Sequence, residues 1–425
     1  MRVELLTVGD ELLIGDIVNG NAAWMGEELT RAGVQVVRST VVGDTLEAIG
    51  EAVAAALDRA DGLIVTGGLG PTYDDLTRDA LALLAGVKLI RDPETEAAIR
   101  ERSTRYGVRL RASALRMADL PEGSVKLPNP AGTAPGIRME LAGKPVYALP
   151  GVPFEMRAIM TETVLPELRG PSAPAVLTLR TAGVWETVLA GRLAPVERMD
   201  GVALAYLPDP ARVDVRITAE SAETLRRAVD KARGLLGQAV YAEGRVTTLG
   251  AAVLDLLRER DETVAVAESL TGGLLGAELT TPAGSSAVFR GGVTAYATPL
   301  KAALLGVPED LLAERGAVDP DVAIAMAEGA RERLGATRGL AVTGVAGPDP
   351  QDGKPVGTVH IGVCGPEGSR SFTPTLTLPS DGSRARSLVR EMTVVHALDL
   401  LRHEVLRVAM IREWEQDQED LEGLS

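Results

Sequence analysis

The 425-residue chain contains one cysteine, Cys364, and three histidines, His360, His396 and His403. A lone thiol excludes an intramolecular disulfide framework and any multi-cysteine zinc site. The histidines all fall in the last quarter of the chain, and structural roles are expected for them. Aromatic residues make up only 3%, which leaves Ala, Val and Leu to build the cores. No apolar run approaches the roughly 18 residues of a membrane helix. The opening Met1-Arg2-Val3-Glu4-Leu5-Leu6 has no extended apolar stretch, so neither a signal peptide nor a membrane partner is expected, and the expected location is cytoplasmic. Basic side chains are outnumbered, 44 against 59 acidic, for a net charge of −15. Such a balance repels phosphate backbones, and no direct nucleic-acid binding is expected from the chain as a whole.

Glycine and proline are plentiful, at 46 and 25 residues, and they punctuate a strand–helix alternation. Val3–Val8, Val34–Val42, Gly62–Thr66 and Val146–Leu149 read as strands. Ala22–Ala32, Leu46–Ala60 and the stretch after Gly151 read as helices. This rhythm over residues 1–170 predicts an α/β domain with a mostly parallel sheet and helices on both faces. Gly170-Pro171-Ser172-Ala173-Pro174 has a linker's composition. Residues 171–245 predict a small α+β module, similar in element order to a KH domain but without the G-x-x-G loop that clamps nucleic acid. A spacer or dimer-contact role is expected for it. Residues 246–411 predict a third, α/β unit, with strands at Thr263–Ala267, Gly291–Tyr296, Gly339–Val342, Thr358–Cys364 and Ser371–Leu378 and a final helix over Arg384–Val408. The acidic residues 412–425 are expected to be a disordered tail.

In the first unit, four glycine or proline loops follow strands. They carry Gly9 and Glu11; Gly67, Gly68, Gly70 and Thr72; Asn129, Gly132 and Thr133; and Pro150 and Gly151. Ligands of open α/β sheets sit beyond the carboxyl ends of the strands, and glycines let backbone N–H groups approach phosphate. Asp74 and Asp75 lie just past the second loop. Beside an anion cradle, carboxylates are useful for holding a divalent cation, although the pair also reads as a helix cap.

In the third unit, Ala267-Glu268-Ser269-Leu270-Thr271-Gly272-Gly273 leads from a strand into a helix, whose N-terminus suits a phosphate or an oxyanion. Thr281-Pro282-Ala283-Gly284-Ser285-Ser286 is a second hydroxyl-rich turn, and Thr343-Gly344-Val345-Ala346-Gly347-Pro348 is a further glycine loop. A serine nucleophile needs a base, and a Ser–Lys pair supplies one if the lysine is neutral. The expected arrangement has Ser286 attacking, Lys301 taking its proton and Tyr296 orienting the pair. Ser269 and Thr343 would hold the oxyanion or the ligand. On residue types alone, Ser285-Ser286 and Ser269 equally read as turn and cap residues, and Lys301 as a solvated helix lysine. Cys364 reads as a small core residue.

The run Thr66-Gly67-Gly68-Leu69-Gly70-Pro71-Thr72-Tyr73-Asp74-Asp75-Leu76-Thr77, with Val8–Leu13, Asn129–Gly136 and Leu149–Met156, resembles the CinA family (competence/damage-inducible protein A). So do Gly284-Ser285-Ser286, Tyr296, Lys301, Thr343–Pro348 and Pro355–Val359. The resemblance implies a three-layer, MoaB- and MogA-like (molybdopterin-binding-like) first domain, a KH-like middle domain and a C-terminal α/β deamidase domain. It implies that the first domain cleaves ADP-ribose with a divalent metal (Mg, Mn or Co), and that the third deamidates nicotinamide mononucleotide without a cofactor. Ser286 would be the nucleophile and Lys301 its base. Ser269, Thr271, Gly272, Tyr296, Thr343 and Gly344 would line the site, and Arg386 would bind the substrate's phosphate or carboxylate, with Arg384 and Arg390 as neighbouring candidates. Two departures from the family pattern are Ala112–Ala118, where an Asn and a Lys-Gln-Ala stretch are usual, and Leu270 in place of a cysteine. A homodimer is expected. Other readings are a non-catalytic adaptor beside a recombinase such as RecA and a pterin-binding module.

Overall fold

The structure is a computed structural model that describes residues 1–107, 109–169, 174–379 and 384–408. The expected acidic tail, and residues 170–173 of the expected linker, lie outside the described residues. The chain divides into two compact units, 1–175 and 176–425.

The first unit is built on a six-stranded sheet. Its strands are β1 (Arg2–Val8), β2 (Gln35–Val42), β3 (Gly62–Thr66), β4 (Val125–Leu127), β5 (Gly136–Leu141) and β6 (Lys144–Leu149), in the order β2-β1-β3-β6-β5-β4. The four strands read from sequence are the parallel core. β3 is buried along its whole length, which explains its uninterrupted Gly-Leu-Ile-Val-Thr: a central parallel strand has no solvent face. Helices Leu46–Arg59 and Thr77–Ala85 cover one face, burying Ile49, Val53 and Leu81. Helices Gly20–Arg31 and Pro153–Ile159 cover the other, burying Met25, Leu29 and Met156. Thr45 and Asn19 start two of these helices by accepting from the N–H of Ala48 and Ala22, each cap contributing about 1 kcal/mol. The antiparallel edge was not anticipated. Here β5 and β6 pair around Ala142-Gly143, both at positive φ, as a two-residue primed turn requires.

In the second unit, the KH-like segment forms the sheet β8-β9-β7-β10 from β7 (Ala175–Thr181), β8 (Val202–Asp209), β9 (Arg212–Ala219) and β10 (Val240–Glu243). Strict in–out alternation along β9 buries Val213, Val215 and Ile217 under helices Glu186–Glu197 and Ala222–Leu236. The same compact unit contains a second sheet, β12-β11-β13-β14-β15, made of β11 (Val264–Glu268), β12 (Phe289–Thr294), β13 (Arg338–Gly344), β14 (Val359–Gly365) and β15 (Gly368–Phe372). β11 is parallel to β12 and β13, while β14 and β15 close the sheet antiparallel. The KH-like segment is packed onto its neighbour: buried Arg402 donates to Asp399 and to the carbonyl of Gln238, and Ala182 belongs to the core under the Ala385–Leu406 helix. The expected Ser371–Leu378 strand ends at Phe372, because Pro374 has no N–H to continue a ladder. Leu376 and Leu378 instead pack on the core from an irregular segment. None of the described helices is long and apolar enough to cross a membrane.

Candidate functional site

Parallel pairing determines what can meet at the second sheet. Glu268 is level with Thr294, and Val264 with Phe289. Residues that follow β11 and β12 therefore converge at one end of the sheet, and those that precede β12 lie at the other. Ser269 immediately follows β11; Tyr296 and Lys301 follow β12. Ser286 precedes β12, on a short exposed turn of 3-10 helix. One strand of six residues at about 3.3 Å each puts it roughly 20 Å from the Lys301 end. The expected Ser286–Lys301 pairing is thus corrected: the hydroxyl at Lys301 belongs to Ser269.

The Lys301 side chain is 1% exposed. Its Nζ donates to Ser269 Oγ at 3.0 Å and to the Ala295 carbonyl at 2.9 Å. Burial without a counter-charge pushes its pKa down from 10.5 to about 8, because desolvation disfavours the ammonium. The fold has thus produced what a Ser–Lys pair needs, a lysine that loses its proton near neutral pH and touches a serine hydroxyl.

A cavity of about 130 Å³ opens onto this pair, lined also by Tyr296, Thr343, Gly344 and Arg386. Thr343 is fully buried and donates to the Ala317 carbonyl at 2.6 Å. Arg386, at the start of the Ala385–Leu406 helix, donates to the Tyr296 hydroxyl at 3.0 Å and to the Gly347 carbonyl. Of the three candidate arginines, Arg386 alone is among the cavity's lining residues; Arg390 is turned to the carbonyls of Leu270 and Thr271. Thr271 and Gly272 do not line the cavity, and the Thr271 hydroxyl is spent on Glu268 at 2.7 Å. The expected anion seat at the following helix N-terminus is filled by the chain itself. The buried Glu268 carboxylate accepts from the N–H groups of Gly273, Leu275 and Gly276. Sequence reasoning missed Asp349 and Gln351, which also line the cavity; their position just after the Gly347-Pro348 turn was the available signal. Cys364 is buried. His360 and His403 are bonded to Thr373 and to the Asp399 carbonyl, and His396 lies against Phe372.

In the first unit a cavity of about 450 Å³ sits beyond the carboxyl ends of the parallel strands. Gly9, Glu11, Gly67, Gly68, Gly70, Thr72, Asp74, Asp75, Thr133, Pro150 and Gly151 all line it, as do the unanticipated Asp44 and Glu155. Gly67 is at φ +104°, and a Cβ there would stand 2.2 Å from the Val8 carbonyl oxygen, so only glycine lets the two loops meet. Buried Arg78 fixes the loop by donating to the carbonyls of Leu69 and Gly70. Asn129 and Gly132 face a separate cavity. The Asn129 amide is used within the loop, donating to the Ala134 carbonyl and Glu155. Burial raises the Asp44 carboxyl pKa, and the nearby Asp10, Glu11 and Asp74 push it the same way. The two expected metal ligands differ. Asp75 is turned into the loop, accepting from the N–H groups of Gly70 and Thr72 at 2.7 Å and from the Thr72 hydroxyl at 2.5 Å, whereas Asp74 is exposed at the cavity. Among the described residues no group of three or more His, Cys, Asp or Glu side chains is spaced to hold a metal ion. Replacing Asp75 with asparagine is expected to lower the melting temperature, since an amide cannot accept all three bonds; a thermal melt checks this.

The two sites and folds define a chain with a molybdopterin-binding-type domain, a KH-like domain and a C-terminal domain carrying a buried Ser–Lys pair. Family models agree. The probable molybdopterin binding domain matches residues 4–170, the damage-inducible protein CinA KH domain residues 177–242, and the CinA C-terminal domain residues 246–405. A CinA-like protein of Frankia casuarinae is 52% identical over 421 residues, covering 95% of this chain and 96% of that one. Another from Gemmatimonas aurantiaca is 44% identical over 380 residues, covering 85% and 88%. The crystal structure of the CinA protein of Thermoplasma acidophilum, 40% identical, covers 39% of this chain and 97% of its own at a TM-score of 0.37. The chain belongs to the CinA family.

Proposed function

We propose that the C-terminal site hydrolyses the carboxamide of nicotinamide mononucleotide to nicotinate mononucleotide and ammonia, with Ser269 as nucleophile and Lys301 as base. The observation that carries this reading is the 3.0 Å contact between Lys301 Nζ and the Ser269 hydroxyl in a buried setting. Ser269 Oγ attacks the carboxamide carbon while its proton passes to neutral Lys301. The ammonium so formed gives the proton to the leaving nitrogen, and the C–N bond breaks as ammonia departs. Water then attacks the acyl ester, its proton going to Lys301, and Lys301 passes that proton to Ser269 Oγ as the C–O bond breaks, which releases nicotinate mononucleotide and restores the serine hydroxyl and the neutral lysine. The pyridinium ring withdraws electrons from the carbonyl, which makes this amide easier to attack than a peptide. Arg386 suits the 5′-phosphate, since its planar fork binds oxygens bidentately. Incubating the purified protein with nicotinamide mononucleotide and following ammonia tests the reading; no ammonia above a blank would reject it. Arg386→Ala is expected to raise KM for the nucleotide by about 10- to 100-fold, the worth of a charge-assisted bond, with a smaller change in kcat; steady-state kinetics decide.

For the first unit we propose hydrolysis of the pyrophosphate link of ADP-ribose, water attacking one phosphorus as the bridging P–O bond breaks, giving AMP and ribose 5-phosphate. The convergence of three glycine loops on one cavity supports it. A divalent ion would be held by Asp74 together with substrate phosphate oxygens, an arrangement usual for Mg²⁺, and would neutralise charge on the leaving phosphate. Release of AMP from ADP-ribose on adding Mg²⁺, Mn²⁺ or Co²⁺, abolished by chelator, is the expected result.

A further inference from the structure

We propose that Glu268 and Arg390 are positioning residues for the Ser269 nucleophile, gripping its turn from two sides so that the hydroxyl is held at Lys301. The inference rests on the reading of Ser269 as the acylated hydroxyl. Neither side chain is among the residues lining the cavity, so neither is expected to touch substrate; each acts through the turn.

Ser269 sits on five residues that leave a strand and enter a helix through two glycines at positive φ, Gly272 and Gly273. Left alone, such a segment has exposed N–H groups at one side and exposed carbonyls at the other. Both sets are taken up by ionised side chains. Glu268, 2% exposed, receives the Thr271 hydroxyl at 2.7 Å and the N–H groups of Gly273, Gly276 and Leu275 at 2.9, 2.8 and 3.1 Å. Arg390 donates Nε to the Leu270 carbonyl at 3.1 Å and Nη2 to the Thr271 carbonyl at 2.8 Å. The Ser269 N–H is bonded to the Val342 carbonyl of the neighbouring strand at 3.0 Å. Charge-assisted bonds are the stronger kind, and here they are directed at both the N–H groups and the carbonyls of the turn that follows the nucleophile. The negative charge at the helix entrance is therefore the protein's own, and the substrate's anionic end is left to Arg386.

The test separates position from folding and from substrate choice. Full-length protein is treated with phenylmethylsulfonyl fluoride, and sulfonylation of the Ser269 peptide is followed by mass spectrometry for both rate and final stoichiometry. Glu268→Gln is expected to label to full stoichiometry about 100-fold more slowly than wild type, the scale of a misplacement near 1 Å. It is expected to show a matching fall in kcat with KM for nicotinamide mononucleotide unchanged. Labelling at the wild-type rate overturns the proposal. So does reduced stoichiometry at an unchanged rate, which marks a merely structural role. If Glu268→Gln does not fold, Arg390→Lys, which leaves the Glu268 bonds in place, is measured in the same way and is judged by the same outcomes. Wild-type labelling of Ser269 without turnover of the nucleotide would reject the proposed substrate while leaving the positioning claim to stand on the labelling rates.

Discussion

Ser269→Ala is expected to lower the deamidation rate by roughly 10⁶-fold, the scale of deleting the nucleophile of a serine acyl-transfer site, while Ser286→Ala stays near wild type. The contrast is the sharpest available, because both serines belong to hydroxyl- and glycine-rich segments and only one reaches the lysine. Ser269 Oγ is 3.0 Å from Lys301 Nζ and opens on the cavity. Ser286 is exposed on the turn that precedes β12, at the opposite end of the sheet. Ammonia release by the two variants, at equal concentrations of folded protein, is the measurement. A dead Ser286→Ala beside an active Ser269→Ala would reverse the assignment.

Lys301→Met is expected to abolish turnover and yet to make the protein more stable at neutral pH. An amine whose pKa falls from 10.5 to about 8 on folding is held in the fold against its preference for the charged form. At about 1.4 kcal/mol per pKa unit, the penalty is on the order of 3 kcal/mol, offset in part by its bonds to Ser269 and Ala295. The sign follows from proton counting. Between about pH 8 and 10.5 the unfolded lysine keeps a proton that the folded one has lost, so wild-type stability rises with pH through that window. Below it both states are protonated and the full penalty applies. The stability advantage of Lys301→Met should therefore be largest at and below pH 7 and shrink as pH rises from 8 towards 10. Denaturant melts at several pH values check this. An advantage independent of pH would remove the argument that burial, rather than some other feature, depresses this lysine. Loss of function with gain of stability is the pattern expected where an active group is held in an unfavourable setting.

Much of this was legible in the residues. Uninterrupted apolar runs such as Leu63–Val65 and Val264–Ala267 marked buried parallel strands, and glycine loops after strands marked the cavity end of each sheet. Lys301, Tyr296, Thr343 and Arg386 were picked out from the sequence and meet around one cavity. The partner serine was not. Ser286 is nearer to Lys301 along the chain, and chain proximity favoured it. Parallel topology decides otherwise: a crossover returns the chain to the same end of the sheet, so that residues following successive strands become neighbours and those preceding them do not. Glu268 was legible as an acid beside the serine, but its role depends on burial under a helix entrance, which composition does not encode. Asp75 was similarly ambiguous: a carboxylate beside a glycine loop can face a ligand or the loop, and the short reach to Gly70 and Thr72 turns it inward.

The central claim, that a neutral amine at Lys301 activates Ser269, is tested most directly by the pH dependence of kcat/KM for nicotinamide mononucleotide. The account predicts a rate that climbs about tenfold per pH unit below an inflection near pH 8 and levels off above it, with the inflection absent from any residual rate in Lys301→Met. A rate that stays flat from pH 6 to 9, or an inflection that persists without the lysine, would contradict it.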